Sequence, residues 1–275
     1  MGAGAANDLV VDIGSNDGTL LNSFRKLGAR IQGIDPAQKI ANAANKSGVP
    51  TISAFFSSEV AARILEEEGQ AQIITANNVC AHIDDLSSVV EAVVTLLASD
   101  GLFVFEVSYL LDVIEKTLFD TVYHEHFDYH ALKPLVPFLQ THGLHLFHAE
   151  RIPSHGGSIR IFAAPEASGR RTSDELMALL AAEDTGGLAE PGVYREFSCK
   201  IQNAGNELSR LIETARAEGR RMAGYGAPAK ATTLMFQFGL QPFRLWTASR
   251  RVRIKGHQRH VLAEHRCMPT LGLLL

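Results

Sequence analysis

Residues 121–132, T-V-Y-H-E-H-F-D-Y-H-A-L, concentrate histidine, tyrosine and carboxylate side chains in one short stretch. Histidine changes its charge near neutral pH, so this stretch could supply an acid and a base for catalysis. His124 and His126 with a carboxylate could instead bind a metal ion, although no second ligand cluster stands out in the sequence. An ordinary surface loop is a third interpretation, and the stretch alone does not separate the three.

A second stretch, V-V-D-I-G-S-N-D-G-T-L-L at 10–21, predicts a ligand-binding turn between a strand and a helix. Gly14 permits a tight turn, and Gly18 lets the backbone approach a ligand closely. The helix that follows offers free N–H groups at its N-terminus. The next predicted strand ends at Asp35, where a carboxylate could accept both hydroxyls of a ribose.

Two ligand classes fit this turn and its acid. Dinucleotides usually meet G-x-G-x-x-G, but Asn16 occupies the place of the middle glycine that makes room for a pyrophosphate. The G-x-x-x-G form resembles the first motif of class I methyltransferases, so we favour S-adenosylmethionine over a nicotinamide. A glycine turn without any ligand is the remaining alternative. The predicted cofactor residues of the turn are Asp12, Gly14, Ser15, Asn16, Asp17 and Gly18, with Asp35 from the second strand.

Further polar residues follow the predicted fourth and fifth strands. The segment T-A-N-N-V-C-A-H places Asn77 and Asn78 at a strand end and His82 in the following loop, and Glu106 ends the next strand. In open α/β sheets, ligands bind at the carboxyl ends of the strands. Asn77 and Asn78 are therefore candidate cofactor or substrate contacts, and a loop cap is the alternative for each. For His82, the alternative is an ordinary surface histidine.

The methyl donor gives the histidine-rich stretch a specific chemistry. A carbon atom accepts a methyl group only as a nucleophile, which requires removal of a proton next to a carbonyl, and histidine is a natural base. Tyr123 or a second histidine could stabilise the enolate, and Glu125 could orient the base or hold a substrate hydroxyl.

Alternating strand-like and helix-like runs predict the elements that position these residues. Strands are predicted at 8–13, up to Asp35, at 50–53, 71–77 and 101–107, with helices near 20–27, 59–68 and 87–98. This alternation predicts an α/β fold with a doubly wound, mostly parallel sheet. The runs 143–150 and 158–165 are predicted to pair antiparallel at one sheet edge. Helices are predicted at 173–183 and 194–220, and 221–236 reads as a strand, a glycine turn and a helix that begin a second α/β segment.

The predicted domains are a cofactor-binding domain at 1–166, a helical linker with an incomplete C-terminal Rossmann-like domain at 167–242, and an aberrant basic tail at 243–275. Seven arginines and lysines oppose one acid in the tail, within a net charge of −4 for the chain. A basic tail can bind nucleic acid, but we expect no nucleic-acid partner. No apolar run reaches about 20 residues, so no membrane span is expected. Three distant cysteines and no signal peptide favour the cytoplasm.

Five motifs in this order resemble the sugar C-methyltransferase family, which includes the NDP-hexose 3-C-methyltransferases of deoxysugar pathways. They are V-D-I-G-S-N-D-G-T-L-L, A-N-N-V-C-A-H-I-D-D, Y-H-E-H-F-D-Y-H-A-L, H-G-G-S-I-R and G-Y-G-A-P-A-K-A-T-T. The resemblance implies that Tyr123, Glu125, His126 and His82 lie at the substrate. It also implies a base that removes the C3 proton of a nucleotide-linked 4-keto-deoxysugar, and we assign His126 to that role.

The last two motifs are predicted to bind the substrate. They contribute His155, Gly156, Gly157 and Ser158 from H-G-G-S, and Tyr225 and Lys230 from G-Y-G-A-P-A-K. A glycine turn, a helix N-terminus and a lysine together suit a diphosphate, although a plain β–α turn would look the same.

The family usually carries a cysteine-rich zinc-binding domain before the first glycine motif, and its C-terminal domain runs well past G-Y-G. This sequence begins almost on the first motif, so activity is expected to be impaired. No metal site is predicted in the chain, and the sequence leaves the oligomeric state open. O- or N-methyl transfer to a small molecule and a non-catalytic cofactor-binding protein are the alternative functions.

Overall fold

The computed structural model describes residues 7–123, 126–220, 222 and 229–240 of the 275. Seven strands form one sheet in the order β3-β2-β1-β4-β5-β7-β6. The strands are β1 Leu9–Ile13, β2 Arg30–Ile34, β3 Thr51–Ile52, β4 Ala71–Asn77, β5 Leu97–Ser108, β6 Leu144–Ile152 and β7 Ser158–Pro165. β7 pairs antiparallel with both β5 and β6, and the other pairs are parallel. The predicted mostly parallel sheet with an antiparallel pair at one edge is therefore confirmed.

Nine α-helices lie within the described ranges. They are α1 Thr19–Lys26, α2 Gln38–Lys46, α3 Ser58–Glu68, α4 Leu86–Leu96, α5 Leu110–Glu115, α6 Leu132–Thr141, α7 Asp174–Thr185, α8 Pro191–Ala217 and α9 Ala229–Gln237. Short 3-10 turns at Cys80–His82 and Ser154–Gly156 lie within two of the candidate motifs, and another at Phe119–Thr121 ends shortly before Tyr123.

Alternate residues of β1 face two different cores, which is why helices cover both sides of the sheet. Leu9 and Val11 belong to the larger buried cluster, together with side chains of α3, α4, α6 and α7. Val10 belongs to a smaller cluster with Leu21 of α1 and Ala44 of α2. A side-chain period of two along a strand sends neighbours to opposite faces. Strands buried on both faces read as continuous apolar runs, as β1 does.

β5 begins earlier in the chain than the sequence pattern predicts. Leu97 pairs with Ala71, and regular pairing resumes only at Leu102 opposite Ile73. The register shift leaves the residues before Gly101 as an irregular extension that no period-two pattern reveals. The predicted helix at 87–98 accordingly ends at Leu96, where β5 takes over.

Candidate active site

The turn from β1 into α1 has the conformation that its glycines predict. Gly14 and Gly18 adopt φ values of +73° and +78°. A Cβ atom on Gly14 would lie 2.4 Å from Val79 Cγ2, and one on Gly18 would lie 2.7 Å from Val49 Cγ1. Backbone conformation and packing therefore both require glycine at these positions. The turn is held directly against the loop that follows β4.

Asp35 fixes the other side of the same turn. Its carboxylate accepts hydrogen bonds from Asn16 N at 3.0 Å and Ala37 N at 2.9 Å. Asn16 has a φ of +51°, which asparagine tolerates better than most residues. An ionised carboxylate has about four acceptor positions, so two bonds to the backbone leave capacity for ribose hydroxyls.

Ser15 and Asp17, the neighbours of Asn16 in the turn, do not bond to Asp35 in the same way. Ser15 is buried against Gly33, where a Cβ atom would lie 2.5 Å from Ser15 Oγ. Asp17 is exposed, and its Oδ1 accepts from Thr19 N at 3.0 Å in the first turn of α1. Their backbone positions shape the turn, and the Asp17 side chain accepts the N–H of the first residue of α1.

Asp12 gives the turn its electrostatic character. Its side chain is only 4% exposed, and Oδ1 accepts a hydrogen bond from Thr75 Oγ1 at 2.6 Å. Burial raises the pKa of the Asp12 carboxyl to about 6, the Thr75 hydrogen bond opposes that rise, and the nearby charge of Asp35 adds to it. Two carboxyl groups beside one glycine turn repel a phosphate and attract a cation. S-Adenosylmethionine carries positive charge and no phosphate, so these residues fit it better than a dinucleotide.

The ends of β4 and β5 meet beside the glycine turn. Asn77 is the last residue of β4, and Asn78 follows with a φ of +55° and donates its N–H to Glu106 O at 2.8 Å. The Glu106 carboxylate is buried and accepts from Arg160 Nη2 at 3.1 Å. Asn77 and Asn78 thus lie at the carboxyl edge where they were predicted, whereas Glu106 is engaged by β7.

His126 lies within a cluster of aromatic side chains. Its Nδ1 is 2.9 Å from Thr121 O, and its ring centroid lies 4.4 Å from that of Tyr123 and 4.8 Å from that of His82. A carbonyl oxygen can only accept, so Nδ1 carries the hydrogen and Nε2 is the basic nitrogen of the neutral ring. Three of the four predicted catalytic side chains, His126, Tyr123 and His82, therefore lie next to each other. Glu125, the fourth, lies outside the described residues.

The histidine cluster and the glycine turn share one edge of the sheet. Phe127 N donates to Ala81 O at 2.8 Å, which ties the chain beyond His126 to the loop after β4. Val79 of that same loop packs on Gly14. The segment that carries the base candidate and the cofactor turn thus both contact the loop at the carboxyl end of β4.

The H-G-G-S motif forms a turn between β6 and β7, next to the segment that leads to His126. His155 adopts a φ of +52°, and a Cβ atom on Gly156 would lie 3.1 Å from Leu118 Cδ1. Ser158 Oγ donates to Ser154 O at 3.1 Å inside the turn.

A buried aspartate that no sequence motif marks supports this turn. The Asp112 side chain is 1% exposed and binds Lys116 Nζ at 2.7 Å and Arg151 Nη2 at 2.5 Å. Lys116 Nζ also donates to Gly156 O at 3.0 Å, and a Cβ atom on Gly157 would lie 2.5 Å from Asp112 Cγ. Residues far apart in the chain form this cluster, so only the folded structure reveals it.

Of the last motif, Lys230 at the start of α9 is described and Tyr225 lies outside the described residues. Lys230 Nζ is 3.9 Å from Asp120 Oδ2, one turn before the histidine stretch. The predicted substrate lysine therefore lies beside the segment that leads to the predicted base, although about a hundred residues separate the two in sequence.

No group of three or more histidine, cysteine, aspartate or glutamate side chains in the described part of the chain is placed to hold a metal ion. None of the helices that the structure describes is long and apolar enough to cross a membrane.

Sequence comparisons identify the class of protein that this fold and turn define. Residues 3–149 match the model of a methyltransferase domain, and residues 153–256 match the C-methyltransferase C-terminal domain. The chain belongs to the class I S-adenosylmethionine-dependent methyltransferases, and S-adenosylmethionine is the cofactor of that family.

Two curated methyltransferases are similar to this chain in sequence. The chain is 40% identical to the C-methyltransferase NovU of Streptomyces niveus over 233 residues, 85% of this chain and 56% of NovU. It is 35% identical to a ubiquinone biosynthesis O-methyltransferase of Cupriavidus pinatubonensis over 101 residues, 36% of this chain and 41% of that protein. The chain thus spans about half the length of these curated relatives. The predicted relationship to C-methyltransferases is confirmed.

A solved structure is similar at lower identity. Magnesium protoporphyrin IX methyltransferase from Synechocystis PCC 6803, with bound SAH, is 14% identical with a TM-score of 0.47, covering 59% of this chain and 76% of that one.

Proposed function

We propose that this chain methylates carbon, at the position next to the keto group of a nucleotide-linked 4-keto-deoxysugar. The similarity to NovU, a C-methyltransferase, supports carbon as the acceptor atom. The observation that carries the proposal is the His126 ring, which contacts Tyr123 and His82 on the same sheet edge as the glycine turn. Oxygen and nitrogen acceptors already have a lone pair, whereas carbon needs a base of this kind.

His126 acts in this proposal as the base that removes the proton next to the carbonyl. Its Nδ1 hydrogen is held by Thr121 O, so Nε2 takes the proton and the imidazolium keeps its hydrogen bond. The electron pair of the broken C–H bond moves onto the carbonyl oxygen and forms an enolate. Tyr123 and His82 would donate hydrogen bonds to that oxygen, which would lower the energy of the enolate.

Asp12, Asp35 and the turn between Gly14 and Gly18 hold the cofactor in this proposal. When it is bound, S-adenosylmethionine supplies an electrophilic methyl group. The Asp35 carboxylate would accept ribose hydroxyls, and the charge of Asp12 would favour a positively charged ligand. Asn77 and Asn78 would complete the pocket at the end of β4.

The substrate side of the proposal rests on the H-G-G-S turn and on α9. The turn at His155–Ser158 packs on Leu118, and Lys230 lies beside Asp120, so both border the segment that carries the base. A lysine at the N-terminal end of a helix favours a diphosphate. Glu125 and Tyr225 complete the proposed set of substrate contacts. We further propose that residues 1–166 form the cofactor-binding domain and that the protein acts in the cytoplasm.

Deuterium exchange separates proton removal from methyl transfer. Nucleotide-4-keto-sugars incubated in D₂O with the protein, without cofactor, should exchange the proton next to the carbonyl, and labelled S-adenosylmethionine should then transfer its methyl group to that carbon. His126→Ala should lower both rates by a factor of about 100 or more, because general base catalysis contributes about 10²–10⁴-fold. His145→Ala is the matched control, since that side chain lies on β6 and contacts Thr172.

Each outcome has a distinct meaning. If wild-type protein transfers methyl groups to a hydroxyl and His126→Ala retains that activity, O-methyl transfer replaces our proposal; the similarity to a ubiquinone biosynthesis O-methyltransferase makes that the second candidate. If the protein shows a thermal shift with S-adenosylmethionine but neither exchange nor transfer with any keto-sugar, it binds the cofactor without catalysing this reaction.

A further inference from the structure

Helix α9 contacts the short segment that precedes the histidine stretch, here called the 119–122 segment. The ring of Phe238, directly after α9, lies 5.2 Å from the ring of Phe119, centroid to centroid. Thr233 Oγ1 of α9 donates a hydrogen bond to Val122 O at 3.3 Å. One end of the segment therefore contacts α9, and the other end contacts the residue that directly follows it.

The Phe238 ring also packs against α8. A Cβ atom on Gly205, in the middle of α8, would lie 2.5 Å from Phe238 Cδ1 and 2.8 Å from Cε1. The ring therefore lies directly against the bare backbone of α8, in a position that only glycine permits. With Phe119 on its other side, Phe238 connects α8 to the 119–122 segment.

The 119–122 segment carries the group that orients the predicted base. Thr121 is 2% exposed, and its carbonyl oxygen is 2.9 Å from His126 Nδ1 and 3.2 Å from Tyr129 OH. Its N–H and its hydroxyl both donate to Leu118 O, at 3.2 Å and 2.8 Å. Because this carbonyl can only accept, its contact with His126 favours the hydrogen on Nδ1 and leaves Nε2 as the basic nitrogen.

We propose that Phe238 is a positioning residue for methyl transfer: clamped between Gly205 and Phe119, it holds the Thr121 carbonyl where it orients His126. This inference rests on the proposed role of His126 as the base. It assigns a part in the chemistry to an apolar side chain more than a hundred residues from the histidine stretch. Offset aromatic pairs attract each other beyond the burial of their area, and a displacement of about 1 Å at a reacting group can cost 10²-fold in rate.

Two phenylalanines at the end of α9 provide a matched comparison. Phe238→Ala removes the clamp, whereas Phe236→Ala removes an equal side chain that is 82% exposed. We expect Phe238→Ala to lower kcat for methyl transfer about 10- to 100-fold, with KM and the Kd for S-adenosylmethionine changed less than about twofold. Phe236→Ala should match wild type in all three, and Phe238→Tyr should restore most of kcat because the ring is kept.

Gly205→Ala separates positioning from general stability. Alanine is favoured over glycine in a helix interior, so α8 itself should not be weakened. The new methyl group would push the Phe238 ring away, and kcat should fall as in Phe238→Ala. A variant with unchanged unfolding temperature and reduced kcat supports positioning.

A nitrogen-15 NMR measurement of His126 tests the same inference without turnover. In wild type, the neutral ring should be the Nδ1–H tautomer, and Phe238→Ala should populate the other tautomer. If Phe238→Ala matches Phe236→Ala in both kcat and tautomer, the inference is wrong even though the proposed function stands. If Phe238→Ala changes the His126 tautomer as expected but the wild-type protein catalyses neither exchange nor methyl transfer, the proposed function fails. The contact of Phe238 with Gly205 and Phe119 would then still position the His126 ring.

Discussion

Asp12→Asn should stabilise the protein at neutral pH while weakening its cofactor site. The substitution keeps an oxygen for the hydrogen bond from Thr75 Oγ1 and removes a charge from a side chain that is 4% exposed. Burial raises the pKa of the Asp12 carboxyl from its ordinary value of 3.8 to about 6. That gap corresponds to at most about 3 kcal/mol, since one pH unit is about 1.36 kcal/mol.

The sign of the effect follows from which state binds the proton more tightly. Between pH 3.8 and about 6, folded Asp12 holds a proton that the unfolded chain has released. The free energy of unfolding contributed by this group is therefore complete below pH 3.8 and declines as pH rises through 6. Asp12→Asn lacks this decline, so its advantage over wild type should be absent at pH 4 and reach at most about 3 kcal/mol at pH 8.

Urea unfolding of wild type and Asp12→Asn at pH 4, 6 and 8 measures this difference. Asp85→Asn provides a control of opposite sign, because hydrogen bonds from the side chain and backbone of Ser88 lower the pKa of that exposed carboxyl at the start of α4. The reasoning is refuted if Asp12→Asn is less stable than wild type at pH 8, or if its advantage is the same at all three pH values.

Two further substitutions test the cofactor turn and a tertiary helix cap. Gly14→Ala should weaken S-adenosylmethionine binding at least about tenfold by calorimetry, because φ is +73° and the new Cβ would meet Val79. Gly69→Ala has a similar φ of +85° with nothing within 4 Å, so it should bind the cofactor normally, and equal losses in both would contradict the prediction. Glu183→Gln should lower the free energy of unfolding by about 1.5–3 kcal/mol, because the buried carboxylate accepts from Leu132 N and Lys133 N at the start of α6, and an unchanged urea midpoint would contradict this.

The parallel part of the fold could be predicted because its signals are local. Each strand is a short apolar run, and the glycines of 14–18 and the acid at Asp35 lie at the ends of such runs. Strand ends in a parallel sheet share one edge, so the sequence predicts that the glycine turn and Asn77 lie at that edge, and the structure has both at strand ends. The residue types of the Y-H-E-H stretch indicate acid–base chemistry. Only the resemblance to a family implies that the stretch lies at the substrate.

α6 shows why other elements escaped prediction. Pro137 lies inside it, and Ala131 precedes it without a capping side chain, so the sequence carries neither a start signal nor an uninterrupted helical pattern. The helix begins because Glu183 of α7 binds its first N–H groups. A cap that comes from fifty residues further along the chain exists only after folding.

The same limit applies to the candidate active site. Asp112 supports the H-G-G-S turn, and Phe238 contacts the segment before the histidines, yet neither has a motif of its own. Sequence patterns identify residues that touch a ligand by type and spacing. Residues that position them act through packing, and packing partners are set by the tertiary fold.

The buried charge of Asp12 affects both the stability of the folded protein and the binding of the cofactor. A buried acid whose pKa is raised destabilises the folded protein at neutral pH, and such a residue persists where a ligand with positive charge offsets the cost. Binding to the folded state alone stabilises by RT ln(1 + [L]/Kd), so the cofactor should raise the unfolding temperature of wild type more than that of Asp12→Asn. For wild type, this increment should grow as pH rises through 6 and Asp12 ionises, whereas for Asp12→Asn it should stay level. An increment that is independent of pH in both proteins would show that the Asp12 charge does not contribute to cofactor binding.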